Sequence, residues 1–379
     1  MKKLLYLTSI PWAWIKQRPQ FLAEYLSKDY EVTYCFKRPT VIKKRDLKVN
    51  DTDLQSDNLQ FRSFRILPLG AIPIIRRLNL DWINRLLLKL QIPNPQKYDV
   101  IWITSASLFD LLPSSIKNQP KIVYDCMDDL LEFPAVNCSE TKRALLMKKE
   151  NKLLTQSKLV ISSADYLKDK VIARSGISSN KVYVVNNAVE LPNSDINSTL
   201  PNEVCEAIIR IKAIKLSMVY IGTIDDWFDF DSILSVLNRI DDLELVLFGP
   251  LRGKVPDNPK IHHLGTIQRD YIFNIMDAAD ILVMPFKLNE LIRSVNPVKL
   301  YEYIYAGKPV IATRYGETIK FEKYVHLYNN NDELYSIVQD IKNGSCLTNA
   351  EEGQEFVKRN TWANRYEVIR RILDETFAI

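Results

Sequence analysis

The chain has 379 residues, 46% hydrophobic and 26% charged, and its 18 Pro and 10 Gly are too few for a disordered or fibrous protein; this is the make-up of a soluble globular chain of about two domains. Its 51 Lys plus Arg against 46 Asp plus Glu leave a net charge of +5, unevenly spread: residues 1–200 hold 30 basic and 20 acidic side chains, the remainder 21 and 26. The 3 His all follow residue 261 and the 5 Cys form no C-x-x-C pair, which argues against a metal site or disulfide framework and for a reducing compartment. The basic half suits an anionic partner (nucleic acid, a phosphorylated substrate or a membrane), or a merely solvated surface.

In chain order, the Met1-Lys2-Lys3 start and its apolar run imitate a signal peptide. Pro11, Trp12 and Trp14 interrupt it, Lys16 and Arg18 follow, and no A-x-A site closes it, so residues 4–9 read as a first buried strand. A helix over 19–26 and strands over 32–36, 100–104 and 122–125 come next. Residues 71–90 read as a basic amphipathic helix carrying Trp82, preceded by Lys43, Lys44, Arg45 and Lys48. It suits either a membrane interface or a core helix with snorkelling cations. No segment has the roughly 18 unbroken apolar residues of a spanning helix. No zinc finger, aromatic RNA-binding signature or basic repeat supports a nucleic-acid partner.

A helix over 142–154 and strands over 159–163 and 182–186 lead to a Pro-, Asn- and Ser-rich linker, 190–204. The alternation restarts with a strand over 218–221, a helix over 233–240, strands over 244–248 and 281–284, a helix from Pro297 and a strand over 310–312. Strands alternating with helices indicate parallel sheets. The expected fold is therefore α/β, with two doubly wound, Rossmann-like domains, 1–195 and 196–355. In such sheets ligands sit beyond the C-terminal strand ends, so facing domains would put a cleft between those ends.

The most specific local signal is Asn296-Pro297-Val298-Lys299-Leu300-Tyr301-Glu302 with Gly307 and Pro309 beyond it. Asn296 fits an N-cap, Pro297 the first helical position, Gly307 a left-handed C′ residue, and Pro309 a stop. The helix start suits phosphate. Lys299 in the first turn opposes the helix dipole unless an anion is present, and Glu302 on the same face could accept hydrogen bonds from ribose hydroxyls. The same spacing fits a simple Lys–Glu surface pair equally well.

The run from Ser294 to Tyr303, with Ala306-Gly307-Lys308-Pro309-Val310-Ile311-Ala312-Thr313, resembles the donor-binding segment of GT-B glycosyltransferases, specifically the family 4-like group of surface-polysaccharide and teichuronic-acid enzymes. Tyr220-Ile221-Gly222-Thr223 and Leu247-Phe248-Gly249-Pro250 resemble the strand-end loops of that donor domain, and His263-Leu264-Gly265 before Ala279-Asp280-Ile281 resembles its base-binding region. Pro11-Trp12 and Gln17-Arg18-Pro19-Gln20 resemble the group's opening, and Lys181-Val182-Tyr183-Val184-Val185-Asn186-Asn187-Ala188-Val189-Glu190 resembles the exit from its acceptor domain. Thr361-Trp362 resembles its final helix, over 356–379, which crosses back to that domain.

The resemblance implies transfer of a sugar from a nucleotide-diphosphate sugar, the co-substrate, with no other cofactor and no metal. It implies donor contacts at Gly222, Thr223, Gly249, Pro250, Asn296, Pro297, Lys299, Leu300 and Glu302. The acceptor would be a saccharide or lipid-linked saccharide, met by Trp12, Lys16 and Arg18 at the cytoplasmic membrane face. Two cations at a helix start suggest an external anion or, equally, interdomain or surface pairing, and Trp12 and Trp14 fit an acceptor cleft or the core equally well. One departure stands out: retaining members carry a second glutamate eight positions before the one matched by Glu302, and here that position is Ser294. An inverting transfer needs a base, and a first domain without His must use a carboxylate. Asp128, then Asp125, follow a buried strand and are the catalytic candidates, unless they cap a turn and begin a helix. A nucleotide-sugar epimerase and a non-catalytic nucleotide-sugar binding protein are the rival readings.

Overall fold

The structure, a computed structural model, describes residues 1–13, 16–38, 58–67, 81–92, 94–117, 121–192, 200–345 and 349–377. Trp14, the 43–48 cluster, residues 71–80 of the amphipathic stretch and residues 193–199 of the expected linker lie outside the described residues. The chain divides into two compact units, Met1–Asn186 with Trp362–Ile379, and Asn187–Thr361.

The first unit is built on a seven-stranded sheet of order β3-β2-β1-β4-β5-β6-β7. Its strands are β1 (Lys2–Thr8), β2 (Tyr30–Lys37), β3 (Leu59–Phe64), β4 (Val100–Ile103), β5 (Ile122–Cys126), β6 (Leu159–Ser162) and β7 (Val182–Val184). Every pairing is parallel. The opening apolar run thus becomes the central strand, buried from Leu4 to Thr8. Strands covered on both faces need such unbroken runs. The C-terminal helix Trp362–Phe377 packs in this unit: Trp362 stacks on Phe21 at 5.0 Å between ring centroids, and Tyr366 hydrogen-bonds Asp29.

The second unit has a six-stranded parallel sheet of order β10-β9-β8-β11-β12-β13. Here β8 is Leu216–Ile221, β9 Leu243–Phe248, β10 Ile261–His263, β11 Ile281–Met284, β12 Val310–Thr313 and β13 His326–Tyr328. The strand order reverses between β8 and β11, and that switch point is where an open α/β sheet leaves a crevice at its C-terminal edge. No helix among the described residues is long and apolar enough to cross a membrane.

Candidate functional site

At the switch point of the second unit, β8 and β9 both leave the sheet through glycine. Gly222 N donates to Phe248 O at 2.7 Å and Gly249 N to Gly265 O at 2.7 Å. Gly249 has φ +133°, and a Cβ there would run into the Gly222 carbonyl. A side chain on Gly222 would overlap Lys299 Cε and come within 2.8 Å of Lys299 Nζ and of the Tyr220 hydroxyl. The two glycines therefore let one backbone cross another and let a lysine lie on the strand end. Pro250 O accepts from Ile224 N at 2.9 Å, and the Tyr220 hydroxyl donates to Thr223 O at 3.0 Å, fixing the loops on either side.

Lys299 sits on the helix Val298–Tyr305, which docks on β8 where Ile221 N donates to the Tyr303 hydroxyl at 2.9 Å. The Lys299 ammonium lies 5.8 Å from the Tyr220 ring centroid. Burial pulls its pKa below the usual lysine value, while Glu302 pushes it back up. Glu302 is 7% exposed and pairs with Arg269, its Oε1 3.1 Å from Nη1. Burial pushes the Glu302 carboxyl up, and Arg269 and then Lys299 act against that. The pair expected from spacing, Lys299 with Glu302, is thus replaced by Arg269 with Glu302.

The helix start differs from the sequence expectation. Pro297 is the capping residue, with φ −82° and ψ 103°, and Asn296 is not the N-cap. The Asn296 side chain is turned inward, 2% exposed. Its Oδ1 accepts from Asn187 N at 3.0 Å, its Nδ2 donates to Glu317 Oε2 at 2.9 Å, and its carbonyl accepts from Asn187 Nδ2 at 2.9 Å. A short amide so fully bonded cannot also reach a helix N–H. Among the described residues the backbone N–H groups of Val298 and Lys299 have no acceptor, as expected at a helix start. Leu300 is fully buried and its N–H is bonded to Pro297 O at 3.2 Å, so it serves the core and the turn. Gly307, with φ +72°, ends the helix as expected. Ser294 is fully buried, its hydroxyl on Glu290 O at 3.1 Å.

In the first unit Asp125 lies inside β5, one residue before its end, rather than after the strand as expected, and is fully buried. Arg18 Nε donates to its two oxygens at 3.0 and 3.2 Å, Nη2 lies 2.9 Å from Oδ1, and Nη1 donates to Val185 O at 2.8 Å. The Arg18 charge at the start of the helix Arg18–Leu26 is therefore answered by Asp125, and Lys16 is answered by Glu24 at 2.8 Å. The anion expected from outside comes from the chain itself. Asp129 is held by Lys170 and Arg174, both at 2.9 Å, and Arg174 continues to Glu150 at 2.7 Å. Asp128 alone of the three aspartates has no ion pair or hydrogen bond on its carboxylate among the described residues. Burial pushes its pKa up to about 6, with Arg18 lowering it and Asp125 and Asp129 raising it. Trp12 packs edge-on to Tyr34 at 5.0 Å and against Phe61 at 4.6 Å.

Three contributors escaped the sequence reading: Arg269, Glu317 and Asn187. Each owes its role to a partner distant in sequence, so no local spacing marks it. Chemically, the second unit offers an ammonium, open backbone N–H groups and a buried carboxylate in succession, which is a donor-then-acceptor array suited to a phosphorylated, hydroxylated ligand.

Comparison with known proteins agrees. Residues 215–343 match the family described as glycosyl transferases group 1. The chain is 28% identical over 244 residues to TuaH of Bacillus subtilis (strain 168), a protein named as a teichuronic acid biosynthesis glycosyltransferase. That match takes in 61% of this chain and 60% of the relative's length. Anabaena Alr3699/HepE, solved in complex with UDP and glucose, superposes with a TM-score of 0.66 at 16% identity, covering 99% of this chain and 100% of that one. Sucrose-phosphate synthase (tll1590) from Thermosynechococcus elongatus superposes at 0.71 and 15% identity, covering 100% of both. The fold is GT-B.

Proposed function

We propose that this GT-B-fold chain, with its group 1 glycosyl transferase domain over residues 215–343, moves a sugar from a UDP-sugar to a saccharide or lipid-linked saccharide acceptor in cell-surface polysaccharide synthesis. The observation that carries this is Lys299 lying on Gly222 at the end of β8, with open backbone N–H groups beside it and Glu302 one turn on. The UDP bound in the HepE structure and the naming of TuaH support the donor and acceptor classes.

In this reading the unit Asn187–Thr361 holds the donor and the unit Met1–Asn186 with Trp362–Ile379 holds the acceptor. Lys299 and the Val298 and Lys299 N–H groups face the diphosphate, with Gly222, Thr223, Gly249 and Pro250 approaching through backbone, while Glu302 accepts from the ribose. The bond from the sugar's anomeric carbon to the diphosphate breaks, the acceptor oxygen bonds to that carbon, and the acceptor's proton passes to Asp128. Charge grows on the departing diphosphate, where Lys299 neutralises it without a metal ion. Asp125 and Arg18 hold the Asp128 segment.

The helix Asp81–Gln91 gives the membrane-face location its support. Trp82, Leu86 and Leu90 are 59%, 50% and 76% exposed, one turn apart on one side, with Arg85 and Lys89 alongside.

The test is transfer and donor hydrolysis with Lys299→Ala and Glu302→Ala. Removing one charge-stabilising donor typically costs about 10²–10³ in turnover. Unchanged turnover in both variants would sink the assignment.

A further inference from the structure

Arg269 lies between His263-Leu264-Gly265 and Ala279-Asp280-Ile281, in the stretch that resembles a base-binding region, and no local spacing singles it out. It opens the short turn Arg269–Tyr271, which follows the edge strand β10 by way of Gly265, whose φ of +82° swings the chain back over the sheet. Its guanidinium is one-third exposed, and it reaches across to the buried side of Glu302 on the helix Val298–Tyr305. The Oε1 of Glu302 is shut away from solvent and faces Arg269. Apart from Arg269, no donor is seated on that carboxylate among the described residues.

From this geometry, and resting on the nucleotide-sugar reading above, we infer that Arg269 is a positioning residue that holds Glu302 as a hydroxyl acceptor and so makes the site selective for nucleotides that carry the ribose diol. A carboxylate has two oxygens and about four acceptor positions. The guanidinium charge 3.1 Å from Oε1 draws that oxygen toward Arg269 and leaves the second oxygen to accept from a vicinal diol. It also keeps charged a carboxylate that burial pushes toward its neutral form. A protonated Glu302 would offer the diol a hydrogen of its own and lose acceptor strength. Selectivity of this kind arises because a buried polar group left unpaired by the wrong ligand is costly. Lysine supplies the same charge at this position from a more flexible stem, so it holds the carboxylate less firmly.

The experiment titrates wild type, Arg269→Ala, Arg269→Lys and Glu302→Gln with UDP and with 2′,3′-dideoxy-UDP, which lacks both ribose hydroxyls. The wild type is expected to prefer UDP by tenfold or more, of the order expected for one charge-assisted hydrogen bond. Arg269→Ala should lose at least about tenfold in UDP affinity while its affinity for the dideoxy compound stays within about twofold, since only the former uses the fixed carboxylate. Glu302→Gln should show the same collapse of preference, and Arg269→Lys should recover part of it. Equal loss for both ligands in Arg269→Ala would mean that Arg269 meets the base or the phosphates, and no loss for either would mean a purely architectural pair; each overturns the inference and leaves the nucleotide site standing. A wild type that binds neither ligand would overturn the nucleotide reading and this inference together. Arg269 is partly exposed, so a thermal midpoint near wild type is expected in both variants, and Arg269→Lys keeps the test decisive if Arg269→Ala does not fold.

Discussion

Gly222 decides how close a lysine can come to the end of β8. A methyl group there would occupy the place of Lys299 Cε. Gly222→Ala should push the ammonium off the strand end and weaken UDP-sugar binding by about tenfold or more, while the unfolding midpoint changes little; calorimetric titration beside a thermal melt checks this. Asp128 makes a second residue-scale case. Its carboxyl, raised to about 6, must be ionised to take a proton, so kcat should rise with pH through that value. Asp128→Asn should lower kcat by about 10²-fold or more and abolish the limb, as a pH–rate profile would record. The stability effect has the opposite sense. A folded-state pKa above the unfolded value means that the native protein binds more protons, so this group's contribution falls as pH rises from the ordinary carboxylate range to about 6. The aspartates were legible as a cluster after a buried strand. Their division of labour was not, because Arg18 and Arg174 come to them from 107 and 45 positions away.

The helix Val298–Tyr305 was legible at its end, where Gly307 and Pro309 are local signals, and misread at its start. Asn296 has the chemistry of an N-cap, but its partners Asn187 and Glu317, 109 and 21 positions distant, claim the amide first. Buried pairing outcompetes a cap because unsatisfied buried groups cost about 1–3 kcal/mol each. Asn296→Ala strips partners from Glu317 and Asn187 together, so it should destabilise by at least about that amount in a denaturant melt and weaken donor binding through a loosened helix start. The unread strands β3, β10 and β13 share one cause. They are short or at a sheet edge, and β10 and β13 have only three residues each, too few for a periodicity to declare itself. Pairing with β2, β9 and β12 makes them strands.

Across the whole molecule, the basic half of the chain spends many of its cations inside the first unit: Arg18 on Asp125, Arg174 on Asp129 and Glu150, Lys170 on Asp129, Arg143 on Glu132. Sequence charge therefore overstates the surface available to an anionic partner. Arg85 and Lys89 on Asp81–Gln91 stay exposed next to Trp82, Leu86 and Leu90. Burying one such apolar side chain is worth about 1.5–3 kcal/mol. The triple change Trp82→Ser, Leu86→Ser and Leu90→Ser should therefore cut binding to phosphatidylglycerol-rich vesicles by about 100-fold or more in a sedimentation assay. Wild-type binding should weaken as salt is raised. The parallel α/β class of both sheets followed from the alternation of strands and helices, since parallel strands need long crossovers, whereas the order of strands within each sheet has no local signal.

A crystal of the protein soaked with UDP tests the central claim most directly. The expected result is a diphosphate at the end of β8, within hydrogen-bonding reach of Lys299 Nζ and of the Val298 and Lys299 N–H groups, with the ribose hydroxyls on Glu302. UDP bound away from Lys299 and Glu302, or a site left empty at saturating UDP, would contradict it.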